Sequence, residues 1–327
     1  MSLNALRRGL LAVALAAALP GAVMAQAAPT VVGIANFGPH PALQDAINGF
    51  KAEMAKNGYE EGRNVRYVMA DANFSPAMIP QVLNQIEANK PAVILTVTTP
   101  VSQAAITSVS NKSLPLVFLL ISDPITAGLV PNWQQGGPRF VGSASAMDYD
   151  AVLEFSKQMF PGAKSFGVMY SPGEANDVVA IRQIEEAAKR ASIKLKAVSV
   201  DAPVDVPQRA QMLADVDFIY AIGSNLVQSA MPAVTSVADR HRIPILSAET
   251  DFIKKGLVTV SYAASYPLQG ASAAKLAVEL LKGKKTTELA PIKPGRADYM
   301  AIISRKKMAQ LGKPIPPALA NCNCFID

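Results

Sequence analysis

The feature that most limits what this chain can become is a recurring pattern in its hydrophobicity. From Val31 onward a short, mostly β-branched apolar run gives way to a turn and then to a longer amphipathic stretch, and the theme repeats along the chain. Apolar runs bounded by turn residues read as buried strands, whereas apolar positions three and four apart read as helices. Strands alternating with helices make βαβ units and hence a parallel sheet, so the predicted class is α/β. Strands are predicted over 31–36, 65–70, 92–97, 116–120, 166–170, 194–200, 218–222, 243–246 and 258–261, with a last one near 299–303. Helical spacing joins Leu43, Ile47, Phe50 and Met54, with Asn57-Gly58 as a stop, and further helices are predicted over 174–191 and 265–281.

The pattern starts twice. Four strands precede the proline- and glycine-rich segment 121–138, and about five follow it after Gly142. Two similar α/β lobes are therefore expected, as the length of 327 residues also suggests. The helix from Ser265 and the last strand follow the second set, so the chain can pass between lobes more than once. Two open sheets facing one another make a cleft lined by the carboxyl ends of their strands, where ligands of such sheets bind.

Composition narrows the function. Half of the residues are hydrophobic and 17% are charged, which is too apolar for disorder, and two cysteines are too few for a disulfide scaffold. Residues 1–25 carry Arg7 and Arg8, an apolar run from Gly9 to Leu19, Pro20-Gly21 and then Val23-Met24-Ala25, the three-part pattern of a secretory signal peptide. Cleavage is expected after Ala25 or Ala27. The run is shorter than the ~20 residues a membrane span needs. Without Arg7 and Arg8 the formal charge falls from +6 to +4, with 29 basic against 25 acidic residues and no basic cluster. Nucleic acid is not an expected partner.

The strand ends are rich in small polar groups placed just before helices. They are Asn36 to His40, Thr98-Thr99-Pro100, and Ser122-Asp123 in the first set, then Ser171 with Glu174 and Asn176, Ser224-Asn225, and Glu249-Thr250-Asp251 in the second. Unpaired N–H groups at helix starts suit a carboxylate. The acids Asp123, Glu174, Glu249 and Asp251 could pair with an ammonium across the cleft. The competing reading of each residue is an ordinary N-cap.

Catalytic constellations fail on inventory. His40 and His241 are the two histidines, and no G-x-S-x-G, H-E-x-x-H, G-x-x-x-x-G-K-S/T or early G-x-G-x-x-G occurs. No catalytic residue, metal site or cofactor is assigned. Cys322 and Cys324 could join in a small ring, pair between chains or hold a soft metal, and a frayed terminus without a role is the favoured reading. Phe37, Trp133 and Tyr262 fall near strand ends or joins, where packing is the expected role.

Several of these segments resemble an ABC-transporter substrate-binding protein family. The resemblance runs through Val32-Gly33-Ile34, His40-Pro41-Ala42-Leu43, Asn57-Gly58-Tyr59 and Glu61-Gly62-Arg63-Asn64-Val65. It continues through Thr99-Pro100-Val101-Ser102-Gln103, Ser122-Asp123-Pro124-Ile125-Thr126-Ala127-Gly128, Glu174-Ala175-Asn176, Ile243-Pro244-Ile245, Thr250-Asp251 and Lys255-Gly256-Leu257. The order holds from about Val31 to Leu311. The chain departs from the family at 171–177, where Gly173 and Asp177 stand in place of serines, and it lacks acids at Ala248 and near Ser265.

The resemblance implies the type I periplasmic binding protein fold, two Rossmann-like lobes joined by a three-segment hinge that closes on a ligand, with aromatic amino acids as ligands of known members. It implies a monomer in the periplasm that takes a small polar solute, of the amino acid class, to an ABC permease in the inner membrane. On it the lobes are expected at 30–141 with 265–289, and at 142–264 with 290–320, before a tail at 321–327. The ligand-binding residues it implies are His40, Thr98, Thr99, Ser122, Asp123, Glu174, Asn176, Asn225 and Asp251. A periplasmic sensor for a membrane receptor is the alternative, and a hydrolase using His40 with a serine is a more remote one.

Overall fold

The computed structural model describes residues 28–327, so the expected signal segment lies outside the described residues. The chain builds a first sheet from strands Thr30–Asn36 (β1), Val65–Asp71 (β2), Val93–Val97 (β3), Leu116–Ile121 (β4) and Phe140–Ala144 (β5). Helices Pro41–Lys56 (α1), Ile79–Glu87 (α2) and Thr99–Ser108 (α3) connect them. Every pairing is parallel, in the order β2-β1-β3-β4-β5. β3 and β4 are buried at every position, as strands covered by helices on both faces must be.

The chain then starts again with Tyr149–Met159 (α4), Ser165–Tyr170 (β6), Ala175–Ala191 (α5), Lys194–Ser199 (β7), Val206–Gln211 (α6) and Phe218–Ala221 (β8). Asn225–Ser229 (α7), Met231–Arg240 (α8), Ile245–Ser247 (β9), Asp251–Lys254 (α9) and Val260–Ala264 (β10) follow. The second sheet runs β7-β6-β8-β9-β10, the same order as the first, and is then extended. Tyr299–Ser304 (β11) adds antiparallel to β10, and Phe325–Ile326 (β12) adds parallel to β11. Two sheets of like topology confirm the α/β class with two lobes.

Two elements cross over. Tyr266–Leu281 (α10) follows β10 directly but packs against α1, sharing a core in which Ala273, Ala274 and Ala277 meet Ala46, Ile47 and Phe50. Gly270 and Gly49 allow the approach, because a Cβ on Gly270 would stand 1.9 Å from the Ala46 carbonyl oxygen and one on Gly49 2.1 Å from that of Pro267. The chain next bridges Ile292 to Ser143, with the Ile292 N–H donating to Gly142 O at 2.9 Å, before returning to the second sheet at β11. Arg305–Gln310 (α11) lies on that lobe through buried Lys307, which pairs with Asp239 at 2.7 Å.

The first sheet extends to Ala144, three residues beyond the boundary expected at 141, and residue 292 bridges to it as well. β5 is hard to see in sequence because Gly142, Ser143 and Ala144 are poor strand formers. A Cβ on Gly142 would meet Phe118 O at 2.0 Å, so it is backbone proximity that selects this residue. The end of the chain does not fray. The Ile303 N–H donates to Cys324 O at 2.7 Å, Arg305 stacks on Phe325 with 3.8 Å to the ring centroid, and Cys322 is bonded to Cys324. Sheet pairing, invisible to local reading, corrects the frayed-terminus expectation.

Candidate functional site

Both sheets have the same order, and residues just past the carboxyl ends of β4 (Ser122) and β8 (Ile222 and Gly223) face the same space. Between them, where the connections cross, lies a hollow of about 490 Å³ of atom-free space, with solvent at its mouth included. Ser122 and Ser145 line it from the first lobe and its connection. Asn176, Asp177, Tyr220 and Gly223 line it from the second, and Tyr266 and Gln269 from the start of α10. Among the described residues, no lysine or arginine lines it. A bound carboxylate would therefore meet hydroxyls and backbone N–H groups.

The first lobe presents an unusual corner after β3. Thr98 has φ of +80°, a region that β-branched residues avoid, and its N–H donates to Leu119 O at 2.9 Å. Its hydroxyl is buried without a partner and does not cap α3. Thr99 opens that helix and is buried too, while Thr96 and Ser102 share a hydroxyl hydrogen bond of 2.8 Å that pins α3 to the sheet. Asn36, at the end of β1, donates to Gly38 O and to Asp71 and leaves its Oδ1 unpartnered.

The acids at the strand ends divide sharply. Asp123 caps its own turn, accepting from the N–H groups of Ile125 and Thr126 and from the Thr126 hydroxyl at 2.9 to 3.1 Å. Glu174 accepts from the Asn225 N–H (3.0 Å), its side-chain amide (2.6 Å) and the Leu226 N–H (2.8 Å), so Glu174 and Asn225 together close the start of α7. Asp251 meets the Lys255 ammonium at 2.7 Å, a charge contact outside hydrogen-bond geometry. Glu249 has nothing. It is 1% exposed, and neither carboxyl oxygen has a hydrogen-bond partner. Burial, with Asp251 and Asp45 adding to it against Lys255, pushes its carboxyl up to about 8.

Asp177 is as deeply buried but well held, accepting from the Ser171 N–H at 2.7 Å and from Asn176 at 2.8 Å. Burial and the neighbouring Glu174 nonetheless push it up to about 8. The Asn176 amide is spent on Glu174, Asp177 and Gly223 O, leaving its Oδ1 without a donor. Gln269 Oε1 and the Tyr220 hydroxyl are unpartnered as well. His40 caps α1, its Nδ1 accepting from the Ala42 N–H at 3.3 Å, and its ring meets the edge of Phe252 across the cleft at 5.6 Å. Burial and the Lys255 charge lower its pKa, which favours the neutral ring. Its contact is aromatic and not a serine hydroxyl.

Of the nine residues singled out from sequence, Ser122 and Asn176 line this hollow and Thr98 offers a free buried hydroxyl at the same strand ends. Glu174 and Asn225 line a second hollow of about 950 Å³ of atom-free space, open solvent included, opposite Phe37 and Pro100. His40, Asp123 and Asp251 are engaged as cap, turn and ion pair, and Thr99 is buried at the start of α3. Sequence reasoning left out Tyr220, Tyr266 and Gln269, although Tyr266-Pro267 at a helix start directly after a strand carried a signal. Tyr262 instead stacks on Phe155 at 4.4 Å, Phe37 packs on Phe74, and Lys293 lies over Trp133. Among the described residues, no group of three His, Cys, Asp or Glu could hold a metal, and no helix is long and apolar enough to cross a membrane.

A two-lobed α/β chain with polar groups converging between its sheets has the form of a ligand-capturing protein. Residues 31–320 match the model of the ABC transporter substrate binding protein family, and the chain belongs to that family. Its homologues are substrate-binding proteins, not enzymes. The tyrosine-binding protein of Clostridioides difficile (strain R20291) is 27% identical over 259 residues, covering 79% of this chain and 74% of the relative. Among solved structures, an ABC domain in complex with L-Trp from Streptococcus pneumonia is 22% identical, with a TM-score of 0.85 over 91% of this chain and 100% of that one. The ligand-free, open structure of a substrate-binding protein with adhesive properties from Clostridium difficile is 27% identical, with a TM-score of 0.70 over 91% and 99%.

Proposed function

We propose that this chain captures an amino acid between its lobes on the periplasmic side of the inner membrane and delivers it to an ABC permease. The observation that carries this is the set of buried polar atoms left without partners in the wall of the hollow: Asn176 Oδ1, the Tyr220 hydroxyl and Gln269 Oε1. An unpaired buried polar group costs about 1–3 kcal/mol, so a row of them at one cleft is the signature of a site completed by a ligand. The relative that binds tyrosine and the fold shared with the L-Trp complex support the amino acid class.

The lobes, about 30–144 with 266–292 and 149–264 with 299–326, would close about the three connecting segments as a monomer. The chain has the shape of the L-Trp complex more nearly than that of the open, ligand-free protein, although its sequence is nearer to the latter. That supports closure as the binding motion. The test is thermal denaturation of residues 28–327 against the protein L-amino acids, followed by calorimetry. A saturable rise in Tm with one or a few of them is expected, and no stabilisation by any would refute the amino acid reading.

A further inference from the structure

We infer that the hydroxyl of Tyr299 is the clasp of the hinge: it joins the connections between the lobes and sets how readily they close on a ligand. The inference rests on the capture of a ligand between the lobes, proposed above, and adds a positioning residue to it.

Residues 145–148, Ser265 and 293–298 carry the chain from one lobe to the other. They meet at Tyr299. Its backbone opens β11 and pairs with Ala264, the last residue before the second connection. Its hydroxyl accepts from the Asp148 N–H at 2.7 Å and donates to Ala146 O at 3.3 Å, both in the first connection, 151 and 153 residues earlier. The third connection runs directly into Tyr299, and within it Arg296 forks onto the Asp148 carboxylate through Nε and, at 3.2 Å, through a second nitrogen. Arg296 also reaches Glu154 at 3.0 Å. The Tyr299 ring is buried and shares a small separate core with Ala151 and Ala264, against which Met147 and Tyr262 pack.

The same connections wall the hollow, with Ser145, Met147 and Tyr149 from the first, Ala264 beside the second and Pro294 from the third. Asp148 stands between Met147 and Tyr149, so a shift of its backbone moves two wall residues at once. The ion pair by itself is a weak clasp, because the Arg296 and Asp148 side chains are 51% and 36% exposed and water competes for both. The Tyr299 hydroxyl differs in that both of its partners are backbone groups of the first connection. Without it the Asp148 N–H and Ala146 O lose that partner, and the hinge gains orientations in which the wall is not assembled. Apparent affinity then falls in proportion to the fraction of molecules that stay competent to bind.

Tyr299→Phe keeps the ring in its core and removes only the oxygen. Spin labels on Met78→Cys and Val204→Cys, 39% and 82% exposed on opposite lobes, report the distance between the lobes without any ligand; the native cysteines are bonded to each other and take no label. In residues 28–327 the Tyr299→Phe distance distribution should be broader than that of the wild type. Calorimetry with L-tyrosine and L-tryptophan should show affinity lowered about tenfold, close to the most that one hydrogen bond supplies. Lys307→Met, which weakens the same lobe away from the hinge, should change neither, and this separates the clasp from a general loosening of the lobe. A Tyr299→Phe distribution that superimposes on the wild type's, or an affinity equal to the wild type's, would overturn the inference and leave the amino acid reading standing. A wild-type protein that binds no amino acid would overturn that reading, while the distance measurement would still decide the inference.

Discussion

Replacing Gly270 with alanine tests the packing that carries α10 across from the second sheet to the first lobe. Helix propensity alone favours the change by about 1 kcal/mol, so any net loss isolates the contact. The new Cβ would stand 1.9 Å from Ala46 O and 2.8 Å from the Phe50 nitrogen, both backbone atoms of α1 that no rotamer change can move aside. Real Cβ contacts stay above about 3.0 Å, so the helices must part by at least 1.1 Å at this point. A gap of that size forfeits roughly a quarter to a half of each dispersion contact along the seam formed by Ala273, Ala274 and Ala277 with Ile47 and Phe50. Overpacking costs about 1–3 kcal/mol, and backbone on the opposing side places this case at the upper end, for a net loss of about 2 kcal/mol. At roughly 2–4 °C per kcal/mol for a chain of this order of size, Tm should fall by about 4–8 °C in a thermal melt. Lys275→Ala, on the exposed side of the same helix, should leave Tm within about 2 °C. Ligand affinity should fall with Gly270→Ala too, because the adjacent Gln269 lines the hollow. A variant as stable as wild type would refute the close-approach argument.

Other expectations rest on separate features. Thr98→Val replaces an unpartnered buried hydroxyl with a methyl group, so the ligand-free protein should gain about 1 kcal/mol while ligand binding weakens about tenfold by calorimetry; a loss of stability with unchanged affinity would contradict the role given to that hydroxyl. Lys307→Met leaves Asp239 facing an apolar neighbour, and since the two side chains are 6% and 26% exposed, a urea titration should show a loss of about 2 kcal/mol. Glu249 and Asp177 both have carboxyls raised to about 8 in the fold, against about 4 when unfolded. The folded state therefore binds more protons between those values, so the Tm of the ligand-free protein should decline from pH 5 to pH 8 and then level off. Glu249→Gln should make that decline shallower, and an unaltered profile would exclude Glu249 as a contributor.

What local sequence determined here was the layering. β-branched runs such as Val93–Val97 can be buried on both faces only in a sheet covered by helices, and helices such as α5 announce their one apolar face through Ile181, Ile184 and Ala188. The strand ends were legible for the same reason, since Thr98-Thr99-Pro100 and Glu174-Ala175-Asn176 sit where a strand must hand over to a helix. Which of those polar groups stay free was not legible. Thr, Asp, Glu and His before a helix look alike as caps or as ligand contacts, and the choice depends on donors distant in sequence. Glu174 is claimed by Asn225 and Leu226, some fifty residues on, whereas Glu249 is claimed by nothing. Tyr220 and Gln269 join the cleft only because β8 and α10 are brought there by the order of the sheets and by the crossover of α10 onto α1. Periodicity is a local property and sets the elements. Hydrogen-bond competition and burial are settled among residues far apart in the chain, so the tertiary structure alone decided which polar groups remain open to a ligand.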